Sequence, residues 1–568
     1  MKADYEVDAR GKKFGKKNVI MLVILLIVEA IYYYVKVPAI NIHSMGFWNW
    51  IIVTIIAITI CFIDFRPKSL SDKKNSKSKV INIDKYFFKG LPLSVKVCFF
   101  TIVAIVLVCA VGNILSSKLV NASKYAGLIN IEKGDFITDI PESDNIEDIA
   151  LMDTETARII GERAIGSLSD VVSQYEVSKN YSTIDLNGKP MKVASLEYAG
   201  FIKYLNNRKN GIPGYVLVDP VKNEAKYISL EEGIKYTESG YFNENIYRHV
   251  QMSYPTKMFE GIYLELDNEN KPFYICPTLK ANAGLFGAMD VNGVVICDPV
   301  TGDTKYYAVE EVPNWVDRVY DGNLACTKYD WYGLLSGGYW NSVFGNKGCK
   351  VTTDDYGYKV MNGDVWVYTG VTSVNGDESN IGFVMINLRT GQSKYYDIAG
   401  AEEYSAMSSA EGQVQHLGYI ASFPSLININ NVPTYIMVLK DNAGLVKQYA
   451  LVNVEKYNIV ATGNTQKEAL KEYKKLLKSN GIGSVQNEEE ADLSEYKKIY
   501  VDDIKFINID SETYVYITDK QGKVYKQIFK ENEMYVYVKA GDFILVKTSE
   551  EDSATGIYEI TDMQLTEK

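Results

Sequence analysis

Histidine is scarce in this chain and carboxylate is abundant, and that balance limits the chemistry on offer. Three histidines, His43, His249 and His416, occur in 568 residues. None stands in an HExxH or equivalent spacing, so a zinc hydrolase has no support. There is no Cys–His pair with a local signature, no GxSxG elbow and no Walker loop. Acid pairs such as Asp354 with Asp355, or Asp377 with Glu378, would satisfy a glycosidase, which needs two carboxylates. With 71 Asp and Glu in the chain, such adjacency is what a solvated surface gives. The stretch VNGDESN at 374–380 offers oxygens to calcium but lacks the alternating ligand spacing of a calcium loop, and reads as a turn. The sequence therefore predicts no catalytic residue, no metal site and no cofactor.

Two features remain as candidate sites. The stretches VPNWVDRVY (312–320) and YDWYGLLSGGYWNSVFG (329–345) are richer in aromatics than a hairpin needs. Trp315, Trp331, Tyr332, Tyr339 and Trp340 are the candidate binding residues there, because glycines around aromatic rings allow a loop to present them to a partner. The competing reading places these rings in a core between neighbouring units. Glu29 is the second feature, a carboxylate inside an apolar run. Such a group is a functional candidate by default, or it hydrogen-bonds Thr54 or Thr59 of a neighbouring helix.

The elements that would hold these residues begin with three apolar runs, at 18–37, 47–65 and 97–115, each close to the ~20 residues that cross a bilayer as a helix. Residues 1–116 hold 16 Lys and Arg against 7 Asp and Glu, whereas the rest of the chain holds 44 against 64. Lys12, Lys13, Lys16 and Lys17 precede the first run, and nine basic residues lie between the second and third. Basic flanks stay on the cytoplasmic side, which predicts a multi-pass cell-membrane protein with its N-terminus cytoplasmic and everything beyond 116 extracellular. Tyr32, Tyr33, Tyr34, Trp48 and Trp50 mark the outer ends of the first two spans, where amphipathic rings favour headgroups.

Beyond the spans one phrase recurs. GYVLVDPVKNEAKYI begins at Gly214, GVVICDPVTGDTKYY at Gly293 and GFVMINLRTGQSKYY at Gly382. Each reads as a β-hairpin, with Asn223, Gly302 or Gly391 at the left-handed position of the turn. A second phrase, LKANAGL at 279–285 and LKDNAGL at 439–445, lies upstream of two such hairpins, and 449–465 forms a degenerate fourth. Helices are predicted over 153–175, with Ala157, Ile160, Ala164 and Leu168 on one face, over 402–421, and over 465–481 behind a Thr465/Glu468 capping box. The spacing reads as duplication of a module of roughly eighty residues. Cys276 and Cys297 align with apolar residues of the other copies and are predicted core positions. A disulfide among Cys276, Cys297, Cys326 and Cys349 is chemically allowed outside the cytoplasm.

The opening TQKEALKEY (465–473) together with hairpins ending in VDPxTGxxKYY resembles the repeated PepSY-type domains of bacterial envelope proteins over about 150–480. That resemblance implies modulation of an envelope peptidase, or an interaction role, and carries no catalytic residue.

The predicted fold class is α+β, with three N-terminal transmembrane helices, extracellular repeated helix-plus-hairpin modules and a C-terminal small all-β barrel of SH3- or OB-like type. Its expected segments are a cytoplasmic tail (1–17), the anchor (18–116) with a basic cytoplasmic loop (66–96), a linker (117–152), two α+β unit pairs (153–310 and 311–480), an acidic linker (481–495) and the barrel (496–568). The expected function is a non-enzymatic, membrane-anchored cell-surface interaction protein whose partner is an envelope protein or a cell-wall polymer. The alternatives are a glycan-binding or glycan-remodelling hydrolase and an extracellular ligand sensor. Nucleic acid is disfavoured by the acidic exterior.

Overall fold

The computed structural model describes residues 16–62, 93–143, 146, 149–374, 379–482, 496–509, 512–551 and 556–565. The expected cytoplasmic tail up to 15, most of the basic stretch at 66–96, the acidic linker from 483 to 495, and the acids of the 374–380 stretch lie outside these residues. The chain forms two compact units, Met1–Ile482 and Gly483–Lys568.

The first unit opens with helices α1 (Lys16–Lys36), α2 (Met45–Phe62) and α3 (Leu93–Ser116). Helices α1 and α3 are long and apolar enough to cross a membrane, whereas the apolar window of α2, Met45–Thr59, is shorter. Almost none of the apolar surface of α1 and α3 is buried within the protein, unlike the core helix of a soluble domain, which hides one face. Glu29 is answered locally: its Oε2 accepts hydrogen bonds from Thr54 Oγ1 at 2.9 Å and Trp50 Nε1 at 3.1 Å. A short helix, α4 (Lys118–Ala126), follows α3 directly.

Among the described residues the remainder of this unit holds four larger sheets, all with one strand order, and a two-stranded pair, Ser379–Asn380 with Gly400–Ala401. In the first, strands Tyr175–Val177 and Ser182–Leu186 both pair with Lys189–Tyr198, followed by Ile212–Asp219 and Glu224–Ile234. The second has Met258–Phe259 and Tyr263–Leu266 on Pro272–Ala283, then Gly287–Cys297 and Thr304–Tyr307. The third has Lys350–Thr352 and Gly357–Met361 on Asp364–Ser373, then Gly382–Asn387 and Ser393–Tyr396, with Ile131–Lys133 added parallel at the edge. The fourth has Ile420–Ala421 and Ser425–Ile429 on Val432–Lys440, then Val446–Asn453 and Val460–Gly463.

The recurring phrase turns out to be structural chemistry. In each copy the acidic or amide residue closes the turn with its own side chain: Asp219, Asp298 and Asn387 each accept backbone N–H groups two and three residues on, at 2.8–3.2 Å. Asn223, Gly302 and Gly391 take φ of 55°, 83° and 76° as the turn requires. The shared leading glycine lies under a tyrosine of the partner strand. A Cβ on Gly293 would sit 2.5 Å from Tyr306 Oη, and one on Gly382 2.4 Å from Tyr395 Oη. Glycine and tyrosine therefore recur together because the ring occupies the space a side chain would need.

Helices fill the gaps between sheets. Helix α5 (Thr154–Gly166) covers the first sheet, and α6 (Phe201–Asn207) leads from its third strand to its fourth. Helix α7 (Ile246–Ser253) packs where the first and second sheets meet, α8 (Gly322–Leu335) between the second and third, α9 (Glu403–Gln413) between the third and fourth, and α10 (Gln466–Ser479) on the fourth. The arrangement returns on itself: Lys440 of the fourth sheet is ion-paired with Asp153, the N-cap of α5. The second strands of the sheets converge on a common centre. Cys276 and Cys297 are buried in the core between the first two sheets, and they, Cys326 and Cys349 are all free.

Three helix boundaries differ from expectation. The helix over 153–175 ends at Gly166, and its buried face is Ala157, Gly161 and Ile165 rather than the 157/160/164/168 stripe. Gly161 dictates that rotation, since a Cβ there would lie 2.1 Å from Tyr181 Oη. The run over 402–421 is α-helical only to Gln413, followed by a 3-10 turn at Gln415–Leu417, and its last two residues, Ile420 and Ala421, form the opening strand of the fourth sheet. Helix α10 follows the capping-box reading: Thr465 Oγ1 accepts from Glu468 N–H at 3.1 Å, and Glu468 accepts in return from Asn464 N–H at 2.9 Å. It ends at Ser479, short of the 481 expected.

The second unit is a small closed barrel of five strands, Lys497–Ile509, Glu512–Asp519, Val524–Ile528, Phe543–Glu551 and Ile557–Leu565. Alternating inward residues, among them Ile499, Val501, Val515, Ile517, Ile544 and Val546, form its core. Its DKQGK turn is closed by Asp519 Oδ1, which accepts from Gln521 and Lys523 N–H.

Candidate functional site

The inner strands of the first, third and fourth sheets enclose a cavity of about 600 Å³, within the range of small-molecule sites. Its wall comes from inner-strand residues such as Thr183, Lys359 and Ile427, together with the 149–154 approach to α5. Two-residue turns bring these strands to the centre. Asn187–Gly188, Asn362–Gly363 and Asn430–Asn431 all have positive φ at both positions, the geometry that matches strand twist in a tight hairpin.

Two lysines face the cavity. Lys192 lies on the third strand of the first sheet and is 7% exposed. Its Nζ donates to Thr183 Oγ1 at 3.1 Å and approaches Thr154 Oγ1 at 3.5 Å. Lys359, on the second strand of the third sheet, donates to the Leu426 carbonyl at 2.8 Å. Its stem keeps some exposure while its ammonium is walled in by protein. Among the described residues no carboxylate comes within ion-pair distance of either ammonium. Burial lowers both from the ordinary 10.5 to about 8; for Lys192 the Arg318 guanidinium adds to the effect and Asp153 opposes it. Asp139, Glu142, Asp153 and Asp355 also line the cavity, so the two ammonium groups lack a direct ion-pair partner in a cavity that holds acids as well as bases.

The carboxylates nearby are committed elsewhere. Burial opposes ionisation of Asp153, yet hydrogen bonds from Lys440 and the Thr156 N–H outweigh it and hold the group below its usual range. Behind the cavity Arg318 lies over the rings of Tyr263 and Tyr358, at 4.6 and 5.2 Å. The fully buried Glu265 accepts the N–H groups of Asp317 and Arg318 at 2.8 and 2.9 Å, and Asp317 Oδ2 accepts the Asp185 N–H at 2.7 Å. Burial raises Glu265 to about 7, partly offset by those N–H groups, and raises Asp317 well above the carboxylate range. Glu403, also raised to about 7 by burial, accepts from Gly370 N–H and Thr353 Oγ1. Glu265, Asp317 and Glu403 pin sheets together and do not line the cavity, whereas Asp153 does. Among the described residues no cluster of His, Cys, Asp or Glu could hold a metal ion.

The five aromatic candidates do not form one surface. Trp315 packs on Phe273 at 5.2 Å, and Tyr332 borders the core between the second and third sheets. Trp331 meets Tyr125 of α4 edge-on at 4.9 Å, and Tyr339 lies against the same small cluster. Trp340 alone is exposed, at 64%. Two of the three histidines make structural contacts: His249 Nε2 is 2.7 Å from the Gly302 carbonyl and His43 Nδ1 2.8 Å from the Leu285 carbonyl. Sequence reasoning missed Lys192 and Lys359. The available signal was the Asn-Gly dipeptides that mark the inner hairpins on which they stand.

No family model matches the chain, and no curated protein matches it either.

Proposed function

We propose that the protein is a non-enzymatic, membrane-anchored binding protein of the cell surface, and that its central cavity receives an anionic group, carboxylate or phosphate, of its ligand or partner. The observation that carries this reading is the pair of buried lysine ammonium groups, Lys192 and Lys359, which face a cavity of ligand size without a direct ion pair, while the acids that line it, Asp139, Glu142, Asp153 and Asp355, are engaged by Lys394, the Asn430 N–H, Lys440 and the Tyr356 N–H. A bound anion would supply the counter-charge that the protein withholds. The anchor consists of three spans, with the N-terminus cytoplasmic and the four-sheet body extracellular; the exposed apolar helices and the basic residues at 66–96 support that placement. An extracellular body puts an envelope protein or a cell-wall polymer within reach, and the PepSY-like resemblance adds an envelope peptidase to that class. The common strand order of the four sheets supports duplication of one module.

A hydrolase would need a carboxylate pair poised in the cleft. Here the acids that line the cavity are engaged, Asp139 by Lys394, Glu142 by the Asn430 N–H, Asp153 by Lys440 and Asp355 by the Tyr356 N–H, which favours binding over hydrolysis. The test is thermal stabilisation of the full chain in lipid nanodiscs by inorganic phosphate, citrate, a glycerol-phosphate polymer and a neutral glucan. Saturable stabilisation by anions, lost in Lys192→Met and Lys359→Met, is expected. Equal stabilisation of wild type and both variants by every anion would remove the reading. A response to the neutral glucan alone would replace it with glycan binding.

A further inference from the structure

The most exposed apolar side chains of the four-sheet body sit where the membrane helices meet it. A single wide turn at Asn341–Gly345, following α8, projects Trp340 (64% exposed), Val343 and Phe344 (79% exposed), with the Trp340 and Phe344 rings stacked at 5.7 Å and 10°. This knob is braced from within: Asn341 Nδ2 donates to the Lys347 carbonyl at 3.0 Å, and Asn341 Oδ1 accepts the Lys347 N–H at 3.2 Å. Helix α8, which carries it, packs on α4, with Leu335, Trp331 and Tyr339 gathered around Tyr125. Helix α4 begins two residues after the end of α3 and exposes Leu119 and Val120.

A second apolar patch meets α1 in the same way. Helix α6 exposes Phe201, Ile202 and Leu205, and the Phe201 ring touches Tyr241 and Phe242 at 4.9 and 6.4 Å. That patch is tied to the aromatic end of α1: Tyr34 Oη donates to Asn243 Oδ1 at 2.6 Å, and Arg248 donates to the Tyr34 carbonyl at 2.8 Å with its guanidinium over the Tyr34 ring.

The body is also clamped to the helix ends. Ser116 Oγ accepts the N–H groups of Leu285 and Phe286 at 2.8 and 2.9 Å, and Ile40 N–H donates to Pro255 O at 2.7 Å. The LKANAGL turn is the docking element, and Gly284 permits it, since a Cβ there would lie 2.5 Å from Ser116 Oγ.

We infer that the Trp340–Phe344 knob and the exposed face of α6 are seated in the headgroup–acyl boundary of the bilayer that α1 and α3 cross, so that the body lies against the membrane. The occupant is lipid because both patches are apolar and are joined to the ends of the apolar helices, the α6 face through Tyr34 of α1 and the knob through α8 packed on α4, which follows α3, and aromatic and aliphatic side chains together favour that boundary. Exposed apolar clusters of this kind mark interaction sites. The inference rests on the membrane anchorage proposed above and goes beyond it, since a helical anchor alone would let the body stand clear of the surface.

The test is tryptophan fluorescence of the full chain in bilayers containing lipids brominated near the headgroup. The Trp340 component is obtained as the difference between wild type and Trp340→Phe, and a control component as the difference between wild type and the double variant Trp48→Phe/Trp50→Phe. An added reporter, Ile202→Trp, reads the second patch. Quenching of the Trp340 and Ile202→Trp components by about twofold or more, together with the control, is expected. A quenched control with unquenched Trp340 and position-202 components would overturn the inference while leaving the anchor intact. Loss of quenching in all three components would overturn the anchorage and the inference together.

Discussion

Replacing Lys192 by methionine tests whether the cavity lysine is held at a cost. The fall from 10.5 to about 8 caused by burial corresponds to about 3 kcal/mol against the charged form, at about 1.4 kcal/mol per pH unit. Methionine matches the lysine stem in length and carries no charge. It forfeits the hydrogen bond to Thr183 and the longer one to Thr154, worth roughly 0.5–1.5 kcal/mol each. The expected net effect at pH 7, without ligand, is stabilisation by roughly 1–2 kcal/mol, an upward shift of a few degrees in the melting temperature of a large unit. The sign with pH follows from linkage. A lysine whose folded-state pKa is depressed carries its full penalty below about pH 8, and sheds it as pH rises toward 10.5, where the unfolded chain also loses the proton. Melts of wild type and Lys192→Met should therefore diverge most at pH 7 and converge by about pH 10, while anion stabilisation of the wild type weakens above about pH 8. A variant less stable than wild type at pH 7, with a deficit that ignores pH, would refute the reasoning.

Three further outcomes follow from groups outside the cavity. Glu403, raised to about 7, is a buried acid whose folded form holds its proton longer than the unfolded one, so its contribution falls as pH rises from about 4.5 to 7. Glu403→Gln should gain on wild type between pH 5 and pH 8 by up to about 3 kcal/mol, read as a widening gap between thermal melts; a constant gap would count against it. Gly293→Ala places a methyl 2.4 Å from the Tyr307 carbonyl and 2.5 Å from Tyr306 Oη, and should cost roughly 1–3 kcal/mol in denaturant titration, whereas an alanine tolerated there would disprove the ring-over-glycine account of the repeated phrase. Arg389 pairs with Asp364 through two nitrogens, Nε at 2.5 Å and Nη2 at 2.9 Å; Arg389→Met strands a largely buried carboxylate and should lose about 3–5 kcal/mol, with an Asp364→Asn partner change recovering part of it.

What the sequence made legible was local. The hairpin turns could be read because Asn223, Gly302 and Gly391 sit where only a left-handed residue serves, and α10 because Thr465 and Glu468 declare its start. Glu29 was legible down to Thr54 as its partner. Pattern failed where packing between distant segments decides. Gly161 turns α5 by yielding to Tyr181, a contact with no sequence signature. The aromatics at 315, 331, 332, 339 and 340 could be read as a presented cluster or as core between units, and pattern alone does not divide them: the first four are taken into contacts with separate neighbours, and Trp340 is exposed. Lys192 and Lys359 look like any of the 60 basic residues until burial makes them unlike the rest.

The four-sheet arrangement explains why charge at those two positions is informative. Outer strands of the sheets keep a solvated side, on which Lys226 and Lys305 rest exposed, whereas Lys192 and Lys359 stand on strands that border the cavity. The central cavity is the place where inner-strand ammonium groups from the first and third sheets can meet water or a ligand. Apolar residues of similar volume in place of buried charges are often neutral or stabilising, so a purely structural role would be served at least as well by methionine. Two cations held without a direct ion pair, while the cavity acids Asp139 and Asp153 are paired with Lys394 and Lys440, are what a site looks like when its counter-charge is meant to arrive from outside. On that argument the stability gain expected for Lys192→Met and the loss of anion binding in the same variant are one effect seen from two sides, and finding the first without the second would break the link between the cavity and its function.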